Sequence, residues 1–278
     1  MRNLEFHVLG SLELRIDDVP GRLAGSKMQA VLFMLLTAEG HQVPLSRLTD
    51  AVWGEFPPRS AAKQIRNTVS SLRSILDDSG PRILLTSNGY VLDTAHAVVD
   101  QTEFHTYVAE ARRHTTAHAA IETYRRALGL WRGPATLPGA GHVVEAVLAG
   151  LNEQRLTVIE ECVELELISG RHGPLVGELQ DLVCRHPLRE RLVARLIRAL
   201  YLCGARARAF AVYEHTRQLL AEELGLRPGT ELQEVHRRML ADDLICTAPV
   251  RPFVPRQRQA GTTRPCFGDH ARRGQLAG

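Results

Sequence analysis

RSAAKQIRNTVSSLRSIL, Arg59 to Leu76, has the spacing of a two-faced helix. Ala61, Ala62, Ile65, Val69, Leu72 and Leu76 recur at the i, i+3, i+4 spacing of a buried helical stripe. At about 100° per residue, Arg59, Lys63, Arg66, Asn67, Ser70, Arg73 and Ser74 gather on the opposite side within an arc of about 120°. That arc holds four cations, three small hydrogen-bonding side chains and no acid. One face suits a protein core and the other a DNA groove, where arginine and lysine meet phosphates or guanine and asparagine pairs with adenine. For an isolated helix, a solvated basic face is the commoner reading. The flanking sequence decides.

Upstream, Leu4–Leu9 and Leu12–Ile16 alternate well enough for two short strands around Gly10. Ser26 is placed to cap a helix running to Glu39, with Gly40 as its stop. Val43 and Pro44 open a second helix, LSRLTDAVWG, with Leu45, Leu48, Ala51 and Val52 inward. Phe56-Pro57-Pro58 prevents its continuation, and Ser60 caps the helix quoted above. Downstream, Asp77–Pro81 breaks the chain, and two apolar runs flank Ser87-Asn88-Gly89, a hairpin signal. Three helices followed by a hairpin describe a winged helix-turn-helix with a small β-sheet, here residues 1–94. Arg82, Ser87 and Asn88 fall on or beside the wing, within reach of minor groove or backbone, and fit ordinary hairpin polar residues equally well. Gly89 is expected to supply a positive φ, Tyr90 to pack the wing on its core, and Trp53 to be core.

Residues 95–246 read as helix after helix, at about 101–114, 117–131, 142–170, 173–185, 188–203, 205–223 and 229–243. Turns such as His186-Pro187 and Gly225-Leu226-Arg227-Pro228-Gly229 separate them. Short-linked helix pairs describe a tetratricopeptide-like stack with a loose repeat. Glu160, Glu161, Glu164 and Glu166 read as a solvated face, and Arg189, Arg191, Arg195 and Arg198 as their partners. Residues 247–278, rich in Pro, Gly and Arg, read as a disordered basic tail and a dispensable extension. The fold class is therefore mainly α: a winged helix, then an all-α domain.

Composition narrows the function without naming it. Net charge is +3 over 278 residues, and residues 1–94 hold 10 basic and 10 acidic side chains, so any DNA contact there must come from a local patch. Only Lys27 and Lys63 are lysine against 32 arginines, so arginine abundance alone carries no weight. Five scattered cysteines without CxxC spacing argue against a disulfide framework or zinc site; Cys162, Cys184 and Cys203 are expected as small buried residues. No metal or cofactor site and no catalytic motif is present in the sequence, so no enzyme activity is expected. The chain shows no signal sequence or membrane-length apolar run, which points to the cytoplasm.

LxVLGxLEL at Leu4–Leu14 (here with Glu5-Phe6-His7), RLTDAVWG at Arg47–Gly54, the Arg59–Leu76 helix and TSNGYVL at Thr86–Leu92 resemble the OmpR-type winged-helix output domain. VDQTEFHTYVAEARR at Val99–Arg113, ALGLWRGPA at Ala127–Ala135, SGRHGPLVGEL at Ser169–Leu179, HPLRERLVARLIRALY at His186–Tyr201 and RQLLAEELGLRPGTEL at Arg217–Leu232 resemble the bacterial transcriptional activation domain. In this order the two are similar to the Streptomyces antibiotic regulatory protein family, over about residues 1–243. The resemblance implies a cytoplasmic, nucleoid-associated transcriptional activator of a secondary-metabolite (antibiotic) gene cluster. It also implies promoter DNA bound at direct repeats near −35, two protomers arranged head to tail, and recruitment of RNA polymerase with contacts to its sigma factor. Neither a receiver domain, with its two-component phosphorylation control, nor a nucleotide-binding module is expected. Arg59 and Arg73 are the backbone candidates and Lys63, Arg66 and Asn67 the base readers. The alternatives are a repressor of the same fold and a helical-repeat scaffold that binds protein rather than DNA; the acid-free arc disfavours the scaffold.

Overall fold

The computed structural model describes residues 3–76 and 81–244. Expectations for the basic tail, for Cys246 and Cys266, and for most of the Asp77–Pro81 break lie outside those residues. The N-terminal part runs β1 (Leu4–His7), β2 (Glu13–Ile16), β3 (Val19–Pro20), α1 (Ser26–Thr37), β4 (Val43–Pro44), α2 (Leu45–Trp53), α3 (Ala61–Leu76), β5 (Arg82–Leu85), β6 (Gly89–Asp93) and β7 (Ala97–Val99). Seven helices follow: α4 (Asp100–Ala111), α5 (Ala117–Gly129), α6 (His142–Ile168), α7 (His172–Arg185), α8 (Glu190–Leu202), α9 (Arg206–Leu224) and α10 (Thr230–Leu240). The fold is mainly α, a winged helix followed by a helical stack.

Two sheets frame the winged helix. The first has strand order β3-β2-β1-β7 and the second β4-β6-β5. The leading strands are shorter than the alternation suggested, and three elements were not foreseen. Val43 and Pro44 do not open α2; they form the short strand β4, paired with β6, and the helix begins at Leu45. Val19–Pro20 adds a third antiparallel strand, and Ala97–Val99 returns to pair parallel with β1, Leu4 against Ala97. Ser26 does not cap α1. It is the first helical residue, Gly25 holds the cap position at φ 84°, and no side-chain cap bond forms. The apolar stripe of α3 packs inward, with Ala61, Ile65, Val69, Leu72 and Leu76 buried and Ala62 half-buried. Trp53 is half-buried against the same core, with the Lys27 ammonium 5.0 Å from its ring centroid.

The buried residues form two clusters whose divide falls inside α6. One contains the winged helix together with α4, α5 and α6 as far as Cys162; the other takes α6 residues from Leu156 onward with α7 to α10, so that Leu156 and Ile159 belong to one cluster and Val158 and Cys162 to the other. The junction at β1 is polar as well as apolar. Asp100, the first residue of α4, is buried and accepts from Val8 N (2.8 and 3.1 Å) and Leu9 N (3.0 Å). Arg132 lies over Gly10, with Nη2 donating to Ser11 O at 2.9 Å, and pairs with Glu13 at 2.6 Å. Val8, Leu9 and the Arg132 loop thus lock the leading strands to the helical stack.

In the second half α8 is the hub, packing on α6, α7, α9 and α10. Its residues Leu192–Ile197 and Ala199–Tyr201 are buried around nearly the whole circumference. Most helix ends lie within two or three residues of their sequence expectation. α10 stops at Leu240 rather than 243, where Asp242 turns to a positive φ of 52°. Arg189, Arg191, Arg195 and Arg198 do pair with acids of α6: Arg189 and Arg191 with Glu160, Arg195 and Arg198 with Glu164. Two of the acids are not a solvated face, however. Glu160 is 1% exposed and Glu166, paired with Arg125, is 6% exposed. The helix pairs close over them, and burial of a charge is tolerable only with such partners. Cys162 is buried as expected, but Cys184 and Cys203 are exposed; each stands near a helix end, beyond the apolar stripe.

Candidate nucleic-acid interface

All ten side chains singled out from the sequence are exposed: Arg59, Lys63, Arg66, Asn67, Ser70, Arg73 and Ser74 on or beside α3, and Arg82, Ser87 and Asn88 on the wing. The local sequence dictates this. With Ile65, Val69 and Leu72 driven into the core, the residues between them must face outward. Among the described residues, no carboxylate pairs with Arg59, Lys63, Arg66, Arg73 or Arg82, so the face keeps its full positive charge.

The side chains are not equally available. Arg73 is committed: its Nε and Nη2 both donate to Ile83 O, at 3.0 and 2.6 Å, which fastens β5 to α3. Only part of the guanidinium is left for a phosphate, a restriction that helical spacing did not reveal. The Ser74 hydroxyl donates back to Ser70 O at 3.1 Å. By contrast, Arg59, Lys63, Arg66 and Asn67 have no side-chain hydrogen bond to another described residue, and they occupy the beginning and middle of the helix. In a helix-turn-helix these positions enter the groove.

The wing is set by close backbone packing. Leu85 pairs with Tyr90 across Thr86–Gly89, and Thr86 N donates to Gly89 O at 3.0 Å. β4 runs along the other edge of β6, Val43 opposite Tyr90 and Pro44 opposite Gly89. Gly89 is glycine for a reason other than the one expected. Its φ is not positive; instead, an added Cβ would stand 2.0 Å from Val43 O and 2.8 Å from Pro44 Cα. Leu45 N donates to Asn88 O at 3.0 Å, tying the wing tip to the start of α2. Tyr90 is buried, as its packing role required. Wing and α3 are therefore held as one surface by Arg73 on one side and by β4 on the other.

Sequence reasoning missed Lys27. Its ammonium donates to Gln64 Oε1 at 2.9 Å, which brings a further cation to the first turns of α3. Gln64 in turn donates to Ser60 Oγ at 3.0 Å. The usable signal was scarcity: Lys27 and Lys63 are the only lysines of the chain, and both belong to this surface. Among the described residues, no three His, Cys, Asp or Glu side chains gather as a metal site, and no helix is long and apolar enough to cross a membrane.

Comparison with known proteins shows what the chain is similar to. Residues 99–240 match the model of the bacterial transcriptional activator domain. The chain is similar to the regulatory protein AfsR of Streptomyces griseus, with 39% identity over 91% of this chain and 26% of that protein. It is also similar to the regulatory protein DnrI of Streptomyces peucetius, with 30% identity over 86% of this chain and 93% of that protein. It thus spans about a quarter of the length of its AfsR relatives and nearly all of DnrI. Among solved structures, Mycobacterium tuberculosis EmbR in complex with a low affinity phosphopeptide superposes with a TM-score of 0.79 at 30% identity, covering 87% of this chain and 66% of that one.

Proposed function

We propose that this chain, which belongs to the Streptomyces antibiotic regulatory protein family of transcriptional regulators, binds promoter DNA through α3 and activates transcription from it. The observation that carries the reading is the exposed, acid-free face of α3, with the wing fixed beside it. In this reading α3 lies in the major groove. Lys63, Arg66 and Asn67 read base edges, and Arg59, Ser70 and Ser74 meet the backbone. Arg73 chiefly positions the wing, from which Arg82, Ser87 and Asn88 approach the adjacent minor groove or its phosphates. Lys27 adds a phosphate contact from α1.

The exposure of the whole arc in a single protomer leaves it free to face a groove, and direct repeats would then be occupied by two protomers head to tail. The helical stack, locked to β1 through Asp100 and Arg132, gives the DNA-bound unit a fixed orientation toward RNA polymerase and its sigma factor. Membership of the Streptomyces antibiotic regulatory protein family supports a pathway-specific role in antibiotic production, exercised in the cytoplasm on nucleoid DNA.

Genome-wide mapping of bound DNA in the producing cell, with a reporter on the mapped promoter, tests the proposal. It expects enrichment at direct repeats near −35 of a biosynthetic cluster, and reporter output that rises with the protein. No enrichment anywhere would overturn DNA binding. Output that falls would make the protein a repressor.

A further inference from the structure

Between the wing and α4, away from the α3 face, the described residues form an open cleft of about 850 Å³. One wall is formed by β5 and β6, the other by the outward face of α4. The cleft exists because that face is small: Thr102, Thr106 and Ala109 stand at successive turns and do not reach across to the wing. Leu84, 48% exposed, therefore borders open space instead of a packed neighbour, with Val91 beside it. Arg113 stands at one end, in the turn that follows α4. Its Nε donates to Ala109 O at 3.1 Å, and no carboxylate among the described residues pairs with it. The acids that border the cleft are otherwise engaged. Glu39 accepts from Gln101 at 3.0 Å and faces His105 at 2.6 Å, and Asp93 accepts from Ala95 N at 3.0 Å. Volume, an apolar wall and one unpaired guanidinium at the rim are the composition of a small-molecule site, at a junction between structural units where such sites concentrate.

We infer that this cleft binds a small organic carboxylate with an apolar body, the body against Leu84 and Val91 and the carboxylate on the Nη groups of Arg113. A guanidinium recognises a carboxylate through two parallel N–H donors, which fixes the ligand's direction as well as its charge. The site is separate from the α3 face, so its test needs no DNA and stands apart from the proposed function.

The test titrates the full chain with 2-naphthoate and, separately, with the uncharged 2-naphthamide by isothermal calorimetry. It uses the parent, Arg113→Gln and Ala109→Trp, with circular dichroism as a check that the exposed-site variants fold. The parent should bind 2-naphthoate saturably. Arg113→Gln should weaken 2-naphthoate about tenfold or more while leaving 2-naphthamide unchanged. Ala109→Trp, which fills the cleft, should abolish both. Absence of saturable 2-naphthoate binding to the parent at millimolar concentration would overturn the site. Equal binding of 2-naphthoate by parent and Arg113→Gln would overturn the carboxylate assignment.

Discussion

Replacing Asp100 with alanine tests how the two halves are joined. In the native chain the carboxylate is 3% exposed and holds two backbone donors, Val8 N and Leu9 N, at 2.8–3.1 Å. Alanine leaves both N–H groups buried without an acceptor, at about 1–3 kcal/mol each, or roughly 2–6 kcal/mol for the pair. Part of that is offset, because a buried carboxylate is itself costly; burial pushes the Asp100 carboxyl above its ordinary range despite the two backbone donors and the nearby His7 and Arg132. The expected net loss is about 2–4 kcal/mol. Asparagine keeps one acceptor oxygen and should recover part of it. The assay is urea unfolding followed by far-ultraviolet circular dichroism, extrapolated to water at pH 7. The pH matters: because the folded carboxyl is raised, the folded state holds its proton to higher pH than the unfolded chain. Asp100's own contribution therefore declines as pH rises from the ordinary carboxylate value to the raised one, and is flat above that window. A loss below about 0.5 kcal/mol, the size of an ordinary surface substitution, would refute the tether.

Gly89→Ala should separate β4 from β6, since no side-chain rotation relieves a contact with Val43 O; unfolding should show a loss of about 2 kcal/mol or more. Arg73→Ala should release β5 from α3 and lower stability by about 1–3 kcal/mol in the same assay, with Arg73→Lys restoring part. Under native conditions at pH 8, iodoacetamide should label Cys184 and Cys203 but spare Cys162, whose thiol burial pushes up to about 12; urea should expose all three, as mass mapping of peptides would read.

What was legible in the sequence is what depends on local periodicity. The α3 stripe from Ala61 to Leu76, the Leu45–Trp53 helix before it and the seven later helices all follow from spacing and turn residues. What escaped depends on contacts distant in sequence. Ala97–Val99 becomes a strand only because β1 offers it an edge more than ninety residues back, and nothing in those three residues says so. Gly89 carries the signature of a turn glycine, yet its requirement comes from Val43, on a strand before α2. Arg73 sits squarely on the cationic arc, and only the position of Ile83 O reveals that it is already bound. Glu160 and Glu166 share a helix with exposed acids, and burial distinguishes them only once α7 and α8 fold over. Charge on a helix face shows what it can meet; tertiary packing decides what remains free to meet it.

The central claim, that the α3 face grips DNA, is tested most directly by mobility-shift titration of a mapped promoter duplex across a range of salt concentrations, with the parent, Lys63→Ala and Arg66→Ala. Both side chains are exposed, so the fold should persist. Parent binding should weaken steeply with salt. Each variant should lose about 1–3 kcal/mol of binding if its side chain reads a base, or flatten the salt slope by about one if it meets a phosphate. Parent-like affinity and salt slope in both variants would contradict it.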